Sequence, residues 1–318
     1  MNVNVRPGIA LGERTTIMVT GNTLKLRRRW RWIIGLLFSL QTTLASADFI
    51  VSHREPSGDT DTRDQYTIAL IRLALEKTKA AYGAYEMRPI PASYYKLRAR
   101  LATSSNQYPN ILLEESYDDE LVTKSKLDFI PFPIDLGILG YRVCFVSPQR
   151  KADVARITSI EELKKFRLGQ GIGWQDAKIL KHNGFNVIEV EAYESLFKMV
   201  AAGRIDLFCT GANQASAELQ AHQTLTQLSI DNAFTLVYKL PRFFFLHPDN
   251  QLLKRRITTG LTLAYNDGSM QQLWQENFGP GLRQIHLPER TVFYLANPFI
   301  AHLDRGYEQY LFSPLNPP

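Results

Sequence analysis

The chain has 318 residues, of which 45% are hydrophobic and 21% charged; this excludes a disordered or collagen-like polymer and suffices for more than one domain core. Thirty-seven Lys and Arg face 31 Asp and Glu, a net charge of +6, which taken whole points toward nucleic acid or anionic lipid. Arg6, Arg14, Lys25, Arg27, Arg28, Arg29 and Arg31 against the single acid Glu13 place that excess in residues 1–47, and the remaining 271 residues carry as many acids as bases. No nucleic-acid partner is therefore expected.

Residues 25–31 are basic, 32–40 are apolar, and 45–47 read Ala-Ser-Ala. A positive segment, a short apolar segment and an A-x-A site are the parts of a secretory signal peptide, so cleavage is expected after Ala47 and the protein in the periplasm. The apolar segment is far shorter than the roughly 20 residues that span a bilayer as a helix. Met18 would open a leader of ordinary length, with residues 1–17 then an upstream start artefact.

In chain order, residues 48–53 read as a strand, and 65–82 as a helix with Tyr66, Leu70, Leu73 and Ala74 on one face and Arg72, Glu76 and Lys79 on the other. A strand at 85–89, a helix at 93–103, a strand at 110–113, a polar turn at 114–120 and an extended run at 129–135 complete a first lobe. A second lobe follows: a strand at 139–146, a helix opened by the capping box Ser159/Glu162, and a strand at 167–172. Next are a helix at 175–183 ended by Gly184, a strand at 186–190, and the helical stripe Tyr193, Leu196, Phe197 and Val200 stopped by Gly203. A strand at 205–210, a helix at 213–222 and the extended run 234–246 close it.

Helices at 250–265 and 269–278, the second with a capping box Ser269/Gln272, have no sheet of their own and are expected to pack back on lobe 1. The proline-rich tail after Gly279 is expected to wrap lobe 1. The reading is an α/β fold of two lobes, 48–138 plus 247–318 and 139–246, joined by two hinge crossings. Cys144 and Cys209 both lie in strand patterns, open to a disulfide or to two buried thiols. The six histidines show no metal-ligand spacing, so neither metal nor cofactor is expected.

Three segments, SIEELKKFRLGQG at 159–171, LFKMVAAGRID at 196–206 and the closing helices at 257–278, resemble those of bacterial solute-binding proteins of family 3, the periplasmic amino-acid-binding type with the type II periplasmic-binding fold. The resemblance runs from residue 48 to about 280. It implies two lobes closing on a small polar solute, for an ABC-type transporter or a sensor, as a monomer without catalytic residues. The family's ligand-gripping arginine would lie after the third strand, but residues 114–124 read EESYDDELVTK. The aspartate that takes the ligand ammonium would fall at Gly211. An α-amino acid is therefore not the expected ligand.

Ligands of open α/β sheets bind beyond the carboxyl ends of strands. In lobe 1 that rule selects Arg54, Glu55 and Tyr66, then Glu115, Ser116 and Tyr117. In lobe 2 it selects Trp174 and Gln175, which follow Gly171 and Gly173 at a helix start, and Gly211. The glycines serve equally as turn residues, the acidic run 114–120 as a solvated loop, and the tyrosines as packing groups. Two other functions fit the same pattern: a lyase or dehydratase using Glu55, Glu115 or Asp176 as acid or base, and a sensory binder without transport.

Overall fold

The computed structural model describes residues 49–55, 63–91 and 96–315; the expected leader lies outside them. In lobe 1, β1 (Phe49–Arg54) pairs in parallel with β2 (Tyr85–Ile90). Between them the expected single helix breaks into α1 (Arg63–Lys77) and α2 (Lys79–Tyr82) at Thr78. The Thr78 hydroxyl donates back to the carbonyls of Ala74 and Leu75 there, a bond that competes with helix continuation.

After α3 (Lys96–Ser104) comes β3 (Leu113–Ser116), three residues beyond its expected start; Ile111 makes only an isolated bridge to Ser52. Residues 114–116 of the expected polar turn at 114–120 are thus strand. The acidic side chains there are satisfied inside the protein, as shown below. α4 (Asp119–Thr123) begins at Asp118, whose carboxylate accepts from the Glu120 amide at 2.7 Å. β4 (Asp128–Ile130) leads to the first crossing.

Lobe 2 contains β5 (Tyr141–Val146), α5 (Lys151–Val154), α6 (Ile160–Leu163), β6 (Arg167–Gly171), α7 (Gln175–His182), β7 (Asn186–Val190) and α8 (Tyr193–Ala201). β8 (Leu207–Gly211), α9 (Ala212–Ala221), β9 (Ser229–Ile230) and β10 (Phe234–Val237) follow. The capping box at Ser159/Glu162 forms as expected. The run expected to close this lobe divides instead. β10 joins the lobe 2 sheet, while β11 (Arg242–Leu246) inserts between β3 and β4. Phe243, Phe244 and Phe245 are all fully buried there, as a central strand covered on both faces requires.

α10 (Gln251–Asn266) packs along α1, with Gly260 against the Ala74 backbone; a β-carbon at Gly260 would stand 2.1 Å from the Ala74 carbonyl oxygen. α11 (Ser269–Ile285) departs from expectation twice. It runs through Pro280 to Ile285, and it packs most extensively on α9 of lobe 2. Its expected capping box does not form: the N-cap is Gly268, and the Ser269 hydroxyl bonds to Asp267 and the Ala264 carbonyl.

The tail holds both lobes, not lobe 1 alone. β12 (Thr291–Tyr294) adds to the lobe 2 sheet in parallel with β10, giving the order β12-β10-β5-β8-β6-β7 with β9 on β5. Further on, Tyr307 meets Phe243 of β11 at 5.6 Å, and Tyr310 sits against Phe132 at 4.4 Å and Tyr265 at 4.9 Å. The Phe312 amide donates to Leu136 at the first crossing, where Leu136 and Gly137 both have positive φ, 53° and 82°. Cys144 and Cys209 lie opposite each other on β5 and β8 and are joined by a disulfide.

Candidate site at the lobe crossings

Two segments, 131–140 and 238–241, connect the lobe sheets, and charged side chains gather around them. Arg142, at the start of β5, is buried and pairs with Asp176 in the first turn of α7. Its Nε donates to the Tyr238 hydroxyl at 3.1 Å, and that hydroxyl donates in turn to Asp176. Burial pushes the Tyr238 phenol well above its ordinary range, so it stays a donor. On the lobe 1 side, Arg242 of β11 pairs with Glu114 of β3 at 3.2 Å, and Glu114 also accepts from the Thr67 hydroxyl. Asp135 lies between these groups. Burial raises its pKa against the pull of Arg242, the Gly137 amide and Arg142.

A third link joins the lobes directly. Asp118, 1% exposed, accepts from the Gln175 side-chain amide and, at 2.8 Å, from Lys178; Glu120 accepts from the same lysine at 2.9 Å. Lys124 and Lys178 hold the Glu120 carboxyl down at about 2. The lobes thus meet through charge-assisted hydrogen bonds across the facing ends of β3 and α7.

The residues selected from the sequence divide by position. Arg54 pairs with Asp64 at 3.9 Å and lines a cavity of about 10 Å³, room for roughly one water, with His53, Thr67 and Glu114. Glu55 is exposed beside it. Gln175 and Gly211 reach the crossing. Gly211 caps α9 where an added β-carbon would meet Asn213 Oδ1 at 2.5 Å and Arg142 Nη1 at 3.4 Å. Ser116 is buried in β3 opposite Arg242.

Four others have partners within the protein. Tyr66 is 4% exposed, donates to the Ile134 carbonyl at 2.7 Å and packs on Phe278. Tyr117 lies in the lobe 1 core against Phe129 and Phe243, and burial pushes its phenol up to about 12. Glu115 is clamped by both arms of Arg100, at 2.9 and 3.2 Å. Trp174 folds back over Gly171 and packs beside Tyr193 and Phe208; a β-carbon on Gly171 would stand 2.3 Å from its indole. Gly171 therefore makes room for the indole.

Arg142, Tyr238, Arg242, Asp135 and Asp118 went unselected. Three carried a legible signal, each a lone charge in an apolar run: Arg142 within 139–146, Asp135 within 129–140 and Arg242 ahead of three phenylalanines. A charge amid apolar residues is expensive to bury unpaired, so such positions mark internal ion pairs or sites.

Among the described residues no group of His, Cys, Asp and Glu is placed to hold a metal ion, and no helix is long and apolar enough to cross a membrane. A larger groove of about 330 Å³ lies elsewhere on lobe 2, lined by Arg150, Asp153, Arg156, Glu162, Lys165 and Phe166.

No family model matches the sequence, and no curated protein does. Solved structures do match in fold. An ancestral arginine-binding protein bound to arginine superposes with a TM-score of 0.52 at 17% identity, covering 73% of this chain and 98% of its own. The GluR0 ligand-binding core from Nostoc punctiforme, in complex with L-glutamate, gives 0.52 at 17%, covering 73% and 100%. A histidine kinase sensor domain with similarity to periplasmic binding proteins gives 0.52 at 15%, covering 73% and 96%. The fold is the mixed α/β, two-lobed fold of the periplasmic binding proteins, as the sequence resemblance implies.

Proposed function

We propose that the protein is an exported binding protein, acting without catalysis, that encloses a small polar ligand between its lobes and presents the closed form to a membrane transporter or sensor. The observation that carries this is the polar network at the crossings, which draws side chains from both lobes yet leaves buried polar atoms without partners. Gln175 Oε1 and Asp135 Oδ2 are two of these, in residues 4% exposed. Buried polar atoms are ordinarily satisfied, and a ligand between the lobes would satisfy these. The fold neighbours support the reading, since two of them are described with arginine or glutamate bound and a third as a sensor domain.

Export is supported by the leader pattern and by the Cys144–Cys209 disulfide, which suits an oxidising compartment. The reading assigns 48–138, 242–285 and the end of the tail to lobe 1, and 139–237 with β12 to lobe 2. The carboxylates proposed for acid–base chemistry do not converge: Glu55 is exposed, Glu115 is held by Arg100 and Asp176 by Arg142. Native mass spectrometry of the full chain, expressed with its leader and recovered from the periplasmic fraction, tests the reading. The expected result is a mature chain starting at Asp48 that carries a small molecule lost on unfolding. A chain retained in the cytoplasm and free of any bound compound would contradict it.

A further inference from the structure

Among the described residues, each cation around the lobe crossings already has its carboxylate. Arg54 pairs with Asp64 at 3.9 Å, Arg242 with Glu114 at 3.2 Å and Lys178 with Asp118 at 2.8 Å, while Arg142 pairs with Asp176. The carboxylate side chains are withdrawn from water: 7% exposed at Asp64, 9% at Glu114, 2% at Asp118 and 10% at Asp176. In such surroundings an added charge without a counter-charge is costly, and breaking one of these pairs to provide one exposes the other partner to the same cost.

Asp135 is the remaining carboxylate. It is 4% exposed and has no ion pair among the described residues; its Oδ1 accepts from the Gly137 amide at 3.0 Å and its Oδ2 is without a partner. Burial favours its neutral acid form. Around the crossings the other buried atoms left without partners are two amide oxygens, Gln175 Oε1 and Asn213 Oδ1, and one donor, Arg242 Nε.

We propose that the ligand of this site is an uncharged molecule that donates hydrogen bonds, of the polyol or neutral-amide kind. This rests on the reading of the crossings as the ligand site. In-chain pairing removes the electrostatic grip on charged ligands, and the orphaned amide oxygens of Gln175 and Asn213 select hydroxyl or amide N–H groups.

The test is a thermal-shift screen of the full chain, expressed with its leader and purified, against four classes at millimolar concentration: neutral sugars, polyols and amides; mono- and dicarboxylates; L-amino acids; and polyamines. Stabilisation is expected from a neutral compound, by several degrees when it is about a hundredfold above its Kd. Two variants provide a gain-of-function arm. Asp176→Asn and Glu114→Gln each release one arginine, in opposite lobes, and either folded variant should bind a monocarboxylate at least tenfold more tightly than the parent.

Stabilisation of the parent by a carboxylate, an amino acid or a polyamine would overturn the proposal. So would two folded variants that gain no carboxylate binding. A polyamine effect abolished by Asp135→Asn would identify Asp135 as a charged ligand for a cation. If no compound of any class stabilises the parent, the binding reading itself falls, and this proposal with it.

Discussion

The indole of Trp174 lies over Gly171 and against Tyr193 and Phe208, so its energetic role is packing. Trp174→Ala should lower stability by about 3 kcal/mol, the usual cost of emptying a large aromatic from a packed site, and leave ligand affinity unchanged in the folded fraction. Chemical denaturation and calorimetric titration of one preparation would check both halves; a folded variant with tenfold weaker binding would return the indole to the site. The rule of strand ends selects Arg54, Gln175 and Gly211, which lie near the crossings, because backbone topology alone sets where those positions fall. It also selects Tyr66, Tyr117, Glu115 and Trp174, whose side chains have partners within the protein, because position at a strand end does not fix where a side chain turns. Glu115 shows why: Arg100 of α3 reaches back to it, a contact 15 residues away in sequence that no local pattern announces.

Strands and helices with a clear period were legible almost to the residue; the strand at 186–190 and the helix beginning at Gln175 form as expected. Elements whose placement depends on distant partners were not. The extended run 234–246 looks continuous, yet Pro241 lies between two strands that belong to different sheets. The tail looks irregular because its strand, β12, is only four residues long and is defined by β10 beside it.

The tail is anchored to lobe 2 by Arg290, which donates to the Phe234 carbonyl at 3.0 Å and stands 3.5 Å from Asp231, each side chain 2% exposed. Burial raises the Asp231 carboxyl to about 6, outweighing the Ala233 amide and Arg290. The sign follows from proton linkage. Between the ordinary value of 3.8 and about 6 the folded chain holds a proton that the unfolded chain has released. This carboxyl's contribution is therefore most favourable below pH 3.8 and is lost as pH rises to about 6, by up to about 3 kcal/mol. Compared with the parent, Asp231→Asn should remove that decline from the stability profile between pH 4 and 6, measured by denaturant unfolding at each pH. Parallel profiles would show that Asp231 titrates as an exposed acid does.

The whole molecule is two lobes tied at several places: two crossings, the Asp118–Lys178 link, α11 on α9 and α1, and a tail seated on both. The tail's seat on Leu136 and Gly137 bears on the first crossing, where a hinge rotation would have to be absorbed. The zero net charge of residues 48–318 recurs inside the molecule as local pairing of charges around the crossings.

Hydrogen–deuterium exchange of the full chain, with and without a stabilising ligand, distinguishes binding between the lobes from binding elsewhere, because it reports both lobes at once. Binding between the lobes should slow exchange together in 114–118 of lobe 1, in 174–178 and 211–213 of lobe 2, and in the crossing at 135–142. Slowing confined to one lobe, or to the groove lined by Arg150, Arg156 and Lys165, would contradict binding between the lobes.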